Sequence, residues 1–69
     1  MANIKFQLHD FKIGDQVMFF RKGINDYRMY WTVIGFYEEM LYIEIDENGY
    51  KDKLYIEVND VEKHVKQDI

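Results

Sequence analysis

The Asn48-Gly49 pair restricts the fold of this chain more than any other feature. It lies between the segments Met40–Glu47 and Tyr50–Val58. Asn-Gly supplies the two positive φ angles of a type I′ turn, whose twist matches the strands on either side. Pairing outward from the turn sets Ile43 opposite Leu54 and Leu41 opposite Ile56, which makes one apolar face. On the other face Glu44 meets Lys53, Asp46 meets Lys51 and Tyr42 meets Tyr55. Opposite charges and aromatic pairs each contribute roughly 0.2–1 kcal/mol in such positions. A slip of one residue would lose both faces together, so the pattern specifies the register.

Composition extends the β reading to the rest of the chain. The 69 residues include five Phe, six Tyr and one Trp, but a single alanine, Ala2. Aromatic and β-branched residues suit a pleated, half-buried surface, whereas a helical chain would use more Ala. A domain this short buries only about 60% of the surface its unfolded chain exposes. There is no Cys to staple it, so its stability must come from bulky side chains, strand pairing or a partner.

Upstream of the hairpin, Gln16–Arg21 and Met29–Tyr37 read as two strands, separated by the turn-forming Gly23, Asn25 and Asp26. Glu38-Glu39 makes a tight corner before Met40. Both strands carry large apolar residues on both faces, Val17 and Phe19 against Met18 and Phe20, and Trp31 and Val33 against Ile34 and Phe36. Burial on two sides points to a closed small barrel or to an oligomer that covers the outer face. Ile4, Phe6 and Leu8 alternate with Lys5, Gln7 and His9, so residues 1–10 are expected to add an edge strand. The tail fits two patterns. Asn59 and Glu62 have capping-box spacing and Val61, Val65 and Ile69 recur every four residues, as in a helix, while Val61, Lys63 and Val65 also fit a strand. The reading adopted for 59–69 is a helical turn at Asn59–Glu62 and then a short closing strand. With no linker or repeat, residues 1–69 form one domain.

The expected fold is therefore all-β, about five strands with a helical turn before the last. Two segments, Phe11–Val17 (with Gly14 and Asp15 leading into Val17) and Trp31–Gly35, carry a resemblance. Together with the element order, they make the chain resemble the SH3-like small barrels, in the broad sense that includes KOW and Tudor-type modules. It resembles more loosely the short SH3-like proteins encoded by phages and prophages. The resemblance spans about residues 11–66. It implies that the loop Lys22 to Arg28 is the long loop of the barrel and Asn48-Gly49 its distal hairpin. The acidic-loop and Ala-Leu-Tyr features of signalling SH3 domains are missing, so binding of proline-rich ligands is not implied.

Catalysis finds little material here. There is no Cys and no Ser, and Thr32 is the only aliphatic hydroxyl, which excludes thiol and serine nucleophiles. His9 and His64 stand near opposite ends of the chain without metal-ligand spacing and read as surface histidines. The carboxylates read as solvated rim charges, since general acid–base work needs one desolvated in a cleft. No enzyme activity, metal or cofactor is expected.

Two binding readings remain, and they divide along the charge. Residues 1–35 carry a net charge of +2 and residues 36–69 a net charge of −6. In the first reading the chain is a non-enzymatic module that contacts a protein, in the phage-like case as adaptor or inhibitor of a host protein. Its surface is Tyr37, Tyr42 and Tyr55 with the acidic Glu38 and Glu39, and Tyr50 near them; buried in a homo-oligomer, the same tyrosines would serve assembly. Tyr side chains bury much area for little lost entropy. In the alternative, Arg21, Lys22 and Arg28, interleaved with Tyr27 and Tyr30, bind a nucleotide or nucleic acid, because guanidinium groups grip phosphates and aromatic faces stack on bases. Residues 1–10 lack the apolar run of a signal peptide, and Met29–Tyr37 falls far short of the roughly 20 residues of a membrane span. The expected location is the cytoplasm, that of the host if the protein is phage-encoded.

Overall fold

The hairpin forms in the register its sequence dictates. In the computed structural model, which describes residues 6–67, Asn48 and Gly49 take φ values of 55° and 81°. They join β3 (Met40–Glu47) to β4 (Tyr50–Glu57). Ile43 faces Leu54, Leu41 faces Ile56, Glu44 faces Lys53, Asp46 faces Lys51 and Tyr42 faces Tyr55.

Before the hairpin come β1 (Gln16–Phe19) and β2 (Tyr30–Tyr37), and after it a 3-10 turn, Val58–Asp60, leads into β5 (Val61–Val65). The strands form one antiparallel sheet in the order β4-β3-β2-β1-β5. Although β4 and β5 lie at opposite ends of that order, Ile56 of β4 and Val61 of β5 belong to one core. The sheet must therefore bend round on itself. Phe11, Val17, Phe19, Trp31, Val33, Leu41 and Ile43 complete the buried cluster. Among the described residues, no helix is long and apolar enough to cross a membrane.

Two bulges break the simple alternation. Val33 pairs with Ile43 but Gly35 with Tyr42, so Ile34 is an extra residue in β2. Met18 pairs with Lys63 but Phe19 with Val61, so Glu62 is extra in β5. Each extra residue reverses the facing of the strand positions beyond it. Burial on two sides is partial, with Met18 buried but Phe20 and Phe36 exposed.

Three expectations need correction. The described part of the N-terminal segment is not a strand, because Leu8–Asp10 is a 3-10 turn. The Asp10 carboxylate accepts a hydrogen bond from the Gln7 N–H at 2.8 Å, a short-range partner that competes with strand pairing. Ile4 and Lys5 lie outside the described residues. The turn before the last strand begins one residue earlier than expected and is capped by Asp60, which accepts from the Glu57 N–H at 3.1 Å, rather than by an Asn59–Glu62 box. From Val61 onward the backbone pairs with β1, and this pairing overrides the helical spacing of the valines. Finally, the first strand ends at Phe19, where the chain turns into the 20–29 loop.

The Glu38-Glu39 corner carries a local cost. Glu38 has φ 54°, in the left-handed region that a residue with a Cβ enters at roughly 1–2 kcal/mol. Glu38→Gly removes that cost and adds some unfolded-chain entropy, so a net gain of about 0.5–1 kcal/mol is expected. In a domain of this size the gain reads as a melting temperature about 4 °C higher. An unchanged or lower melting temperature would contradict this account of the corner.

Candidate functional site

The outer face of β2, β3 and β4 gathers three tyrosines. Tyr42 and Tyr55 are opposite one another across the hairpin, and their rings stack with centroids 4.5 Å apart and planes 20° from parallel. Tyr37 joins them with its ring centroid 5.6 Å from that of Tyr55. Its position depends on the Ile34 bulge. Without the extra residue, Tyr37 would share the face of Trp31 and Val33 and point into the core. With it, Tyr37 pairs with Met40 on the outside. Tyr55 touches both other rings; it and Tyr37 are 44% and 58% exposed, while Tyr42 is half-buried, so the cluster is anchored at Tyr42 and open at Tyr37 and Tyr55. Glu38 and Glu39 are exposed at the adjoining corner. All five residues of the expected protein-binding set thus lie on one patch. Tyr50 does not join it. It lies on the Asp52–Leu54–Ile56 side of β4, at the far end of the hairpin, because residues two apart share a strand face.

The 20–29 loop arranges its cations differently. Asn25 is buried and knits the loop closed: its Nδ2 donates to the Phe19 and Met29 carbonyls at 2.6 and 3.0 Å, and its Oδ1 accepts from the Met29 N–H at 3.0 Å. The two arginines then point toward the 3-10 turn and β5. Arg21 pairs with Asp60 at 3.3 Å, and Arg28 pairs with Glu62 at 3.5 Å and lies over the Phe20 ring at 4.6 Å. Both pairs are about half-exposed and worth at most about 1 kcal/mol each. They join the basic half of the sequence to the acidic half. Lys22 is exposed, Tyr30 is 41% exposed, and Tyr27 is 90% exposed on another side of the loop. The five residues of the nucleotide reading are therefore close in sequence without converging on one point, and each arginine already has a carboxylate.

One polar cluster departs from the sequence reading. His64 reads as a surface residue in the sequence, yet its side chain is only 4% exposed. The Glu62 bulge is the reason, since it places His64 opposite the buried Val17 and leaves Val65 exposed. His64 packs against Phe11 and Phe6, and its Nε2 lies 2.7 Å from Asp15 Oδ2. Asp15 is itself buried and also accepts from the Lys12 N–H at 3.0 Å and the Gln67 N–H at 2.9 Å. Burial pushes the Asp15 carboxyl up, but hydrogen bonds from Gln67, His64 and Lys12 outweigh it, and the group sits below its ordinary value. As a carboxylate Asp15 can only accept, so the facing Nε2 carries the hydrogen. His9, by contrast, is exposed as expected. The Asp15 cluster reads as structural. It ties the entrance of β1 to the exit of β5, and the backbone at Gly14 and Asp15 exchanges hydrogen bonds of 2.8 Å with Val33.

Among the described residues, no three His, Asp or Glu side chains gather as a metal centre requires. No protein-family model, no curated protein and no solved structure matches the chain.

Proposed function

We propose that this chain is a non-enzymatic binding module of the SH3-like small-barrel kind that works by contact with another protein. In the phage-like form of the reading, it adapts or inhibits a host protein in the host cytoplasm. Support for the fold kinship comes from the strand order, the long loop between β1 and β2, and the 3-10 turn before β5.

The observation that carries the function is the tyrosine ladder. Tyr37, Tyr42 and Tyr55 come from three strands, Tyr42 stacking on Tyr55 and Tyr37 tilted against Tyr55, and leave Tyr37 and Tyr55 open to solvent beside Glu38 and Glu39. The core does not need them, since it closes with Trp31, Phe11, Phe19 and the aliphatic residues. Aromatic rings grouped on a surface are the usual anchors of protein interfaces, and the acidic corner supplies a charged rim that favours a basic partner.

The test is retention of a partner from cell lysate by the tagged protein, with mass spectrometry to identify it. One specific protein is expected, and Tyr42→Ala with Tyr55→Ala is expected to weaken it by at least about tenfold, as the loss of two interface anchors does. A partner held equally well by the double variant, or no specific partner, would overturn the assignment. Recovery of nucleic acid in its place, lost in Arg21→Ala, would favour the loop 21–30.

A further inference from the structure

The open edge of β4 is the other surface fitted for contact. β4 and β5 stand at the two ends of the strand order, so each pairs on one side only among the described residues. Sheet edges are usually short, bulged, or blocked by Pro or an unmatched charge, because they offer unpaired backbone groups to any other strand. β5 follows that rule, with five residues and a bulge at Glu62. β4 does not: it runs eight residues, without Pro, in unbroken register with β3.

The hairpin turn decides which backbone groups lie open. A two-residue turn closes on a hydrogen-bonded pair, here Glu47 and Tyr50, and bonds to β3 then recur at every second residue of β4. Tyr50, Asp52, Leu54 and Ile56 therefore bond β3, while Lys51, Lys53, Tyr55 and Glu57 turn their N–H and C=O groups outward. Asp52 accepts the Lys53 N–H at 2.9 Å, and Asp60 accepts the Glu57 N–H at 3.1 Å. The second of these bonds belongs to the 3-10 turn and ends the open edge at Glu57.

Laid antiparallel on a copy of itself with Tyr55 at the centre, the segment Lys53–Glu57 is self-complementary. Lys53 meets Glu57 of the second copy on the outer face, and the symmetry repeats the pair. Both side chains are exposed, and neither is in an ion pair among the described residues. On the inner face Leu54, only partly buried where it packs against the core, meets Ile56. The outward backbone groups match as well: each Tyr55 N–H meets the opposite Tyr55 carbonyl, and each Lys53 N–H leaves Asp52 for the opposite Glu57 carbonyl. The Glu57 N–H stays with Asp60. A register centred on Leu54 would instead set Asp52 against the apolar Ile56.

We propose that the chain forms a two-fold dimer by pairing its β4 edges in this Tyr55-centred register. The dimer sets the two Tyr55 side chains next to each other and joins the tyrosine clusters of both copies into one face. It needs only the β4 edge and stands whether or not that face holds another protein.

Sedimentation equilibrium of the full chain, from micromolar to near-millimolar concentration, is expected to show a monomer–dimer equilibrium, since an interface of one strand edge is small. Lys53→Glu and Glu57→Lys each turn both end pairs into like charges, and each should weaken the dimer about tenfold or more. Glu57→Lys faces the neutral Met40 in β3, so it tests the edge without disturbing the charges of the hairpin. Mixed in equal amounts, the two variants regain opposite charges at both ends and should form a mixed dimer about as tightly as the natural chain. Backbone amide spectra verify the fold of each variant. A natural chain that is monomeric throughout, a dimer that neither substitution weakens, or a mixture no tighter than its components would overturn the proposal.

Discussion

Asp15→Ala is expected to cost about 3–5 kcal/mol, the usual loss when one partner of a buried polar pair is removed. A domain of this length has only about 3–10 kcal/mol to lose, so the variant should be near the limit of folding. The size of the effect comes from what the carboxylate holds. It accepts from the Lys12 N–H, the Gln67 N–H and His64, and without it the buried His64 imidazole would lose its acceptor while the two part-buried backbone N–H groups would have to find another. It also clamps the two ends of the described chain, since Lys12 precedes β1 and Gln67 comes after β5. The dependence on pH gives a second check. The folded carboxyl lies below its ordinary value of 3.8. Its contribution is therefore present above that pH and lost as pH falls through the lower, folded value. Urea denaturation should show a wide gap between the natural chain and Asp15→Ala at neutral pH, narrowing as pH falls below about 4. A gap that stays constant through the acid range would mean that the charge of Asp15 contributes nothing.

Asp15 also illustrates which parts of the fold are legible in the residues alone. The hairpin is legible because everything that determines it is local. Asn48-Gly49 sets the turn, and the pairing pattern of the next eight positions on each side agrees with one register only. Tyr42 beside Tyr55 comes with that register, so two members of the candidate site are legible too. The burial of His64 is not, and the outward facing of Tyr37, though expected from its neighbours, does not follow from alternation, for one reason. Both lie just beyond a bulge, at Ile34 and Glu62, where period-two reasoning gives the wrong face. No residue at either position announces the extra insertion, since a bulge is chosen by how well the pairs beyond it fit their partner strand. The loop arginines are visible as a basic cluster, but their carboxylates lie more than thirty positions away, on Asp60 and Glu62. The N-terminal turn and the 3-10 turn before β5 share a small device, an Asp three residues after the N–H it accepts. That spacing is present in the sequence, and it outweighs the alternating pattern of Phe6 and Leu8, which find the core without a strand.

The 20–29 loop depends on a single buried side chain, which makes Asn25 the second large expectation. Asn25→Ala removes three hydrogen bonds and leaves the Phe19 and Met29 carbonyls and the Met29 N–H to find other partners. Buried groups left unpaired cost about 1–3 kcal/mol each, and water can reach some of this loop, so about 3 kcal/mol in total is expected. Asn25→Asp should be no better, although it is nearly equal in shape. It keeps the acceptor for Met29 but turns a second oxygen toward two carbonyl oxygens, one of them only 2.6 Å from the present Nδ2. Urea denaturation measures both losses, and a variant within about 0.5 kcal/mol of the natural chain would show that the loop holds itself without Asn25. The proposed partner contact at Tyr37, Tyr42 and Tyr55 lies at the opposite end of the hairpin from this loop. At a temperature where Asn25→Ala remains folded, capture of the partner is therefore expected to be kept, and a loss of capture would mean that the loop and the tyrosine face are parts of one site.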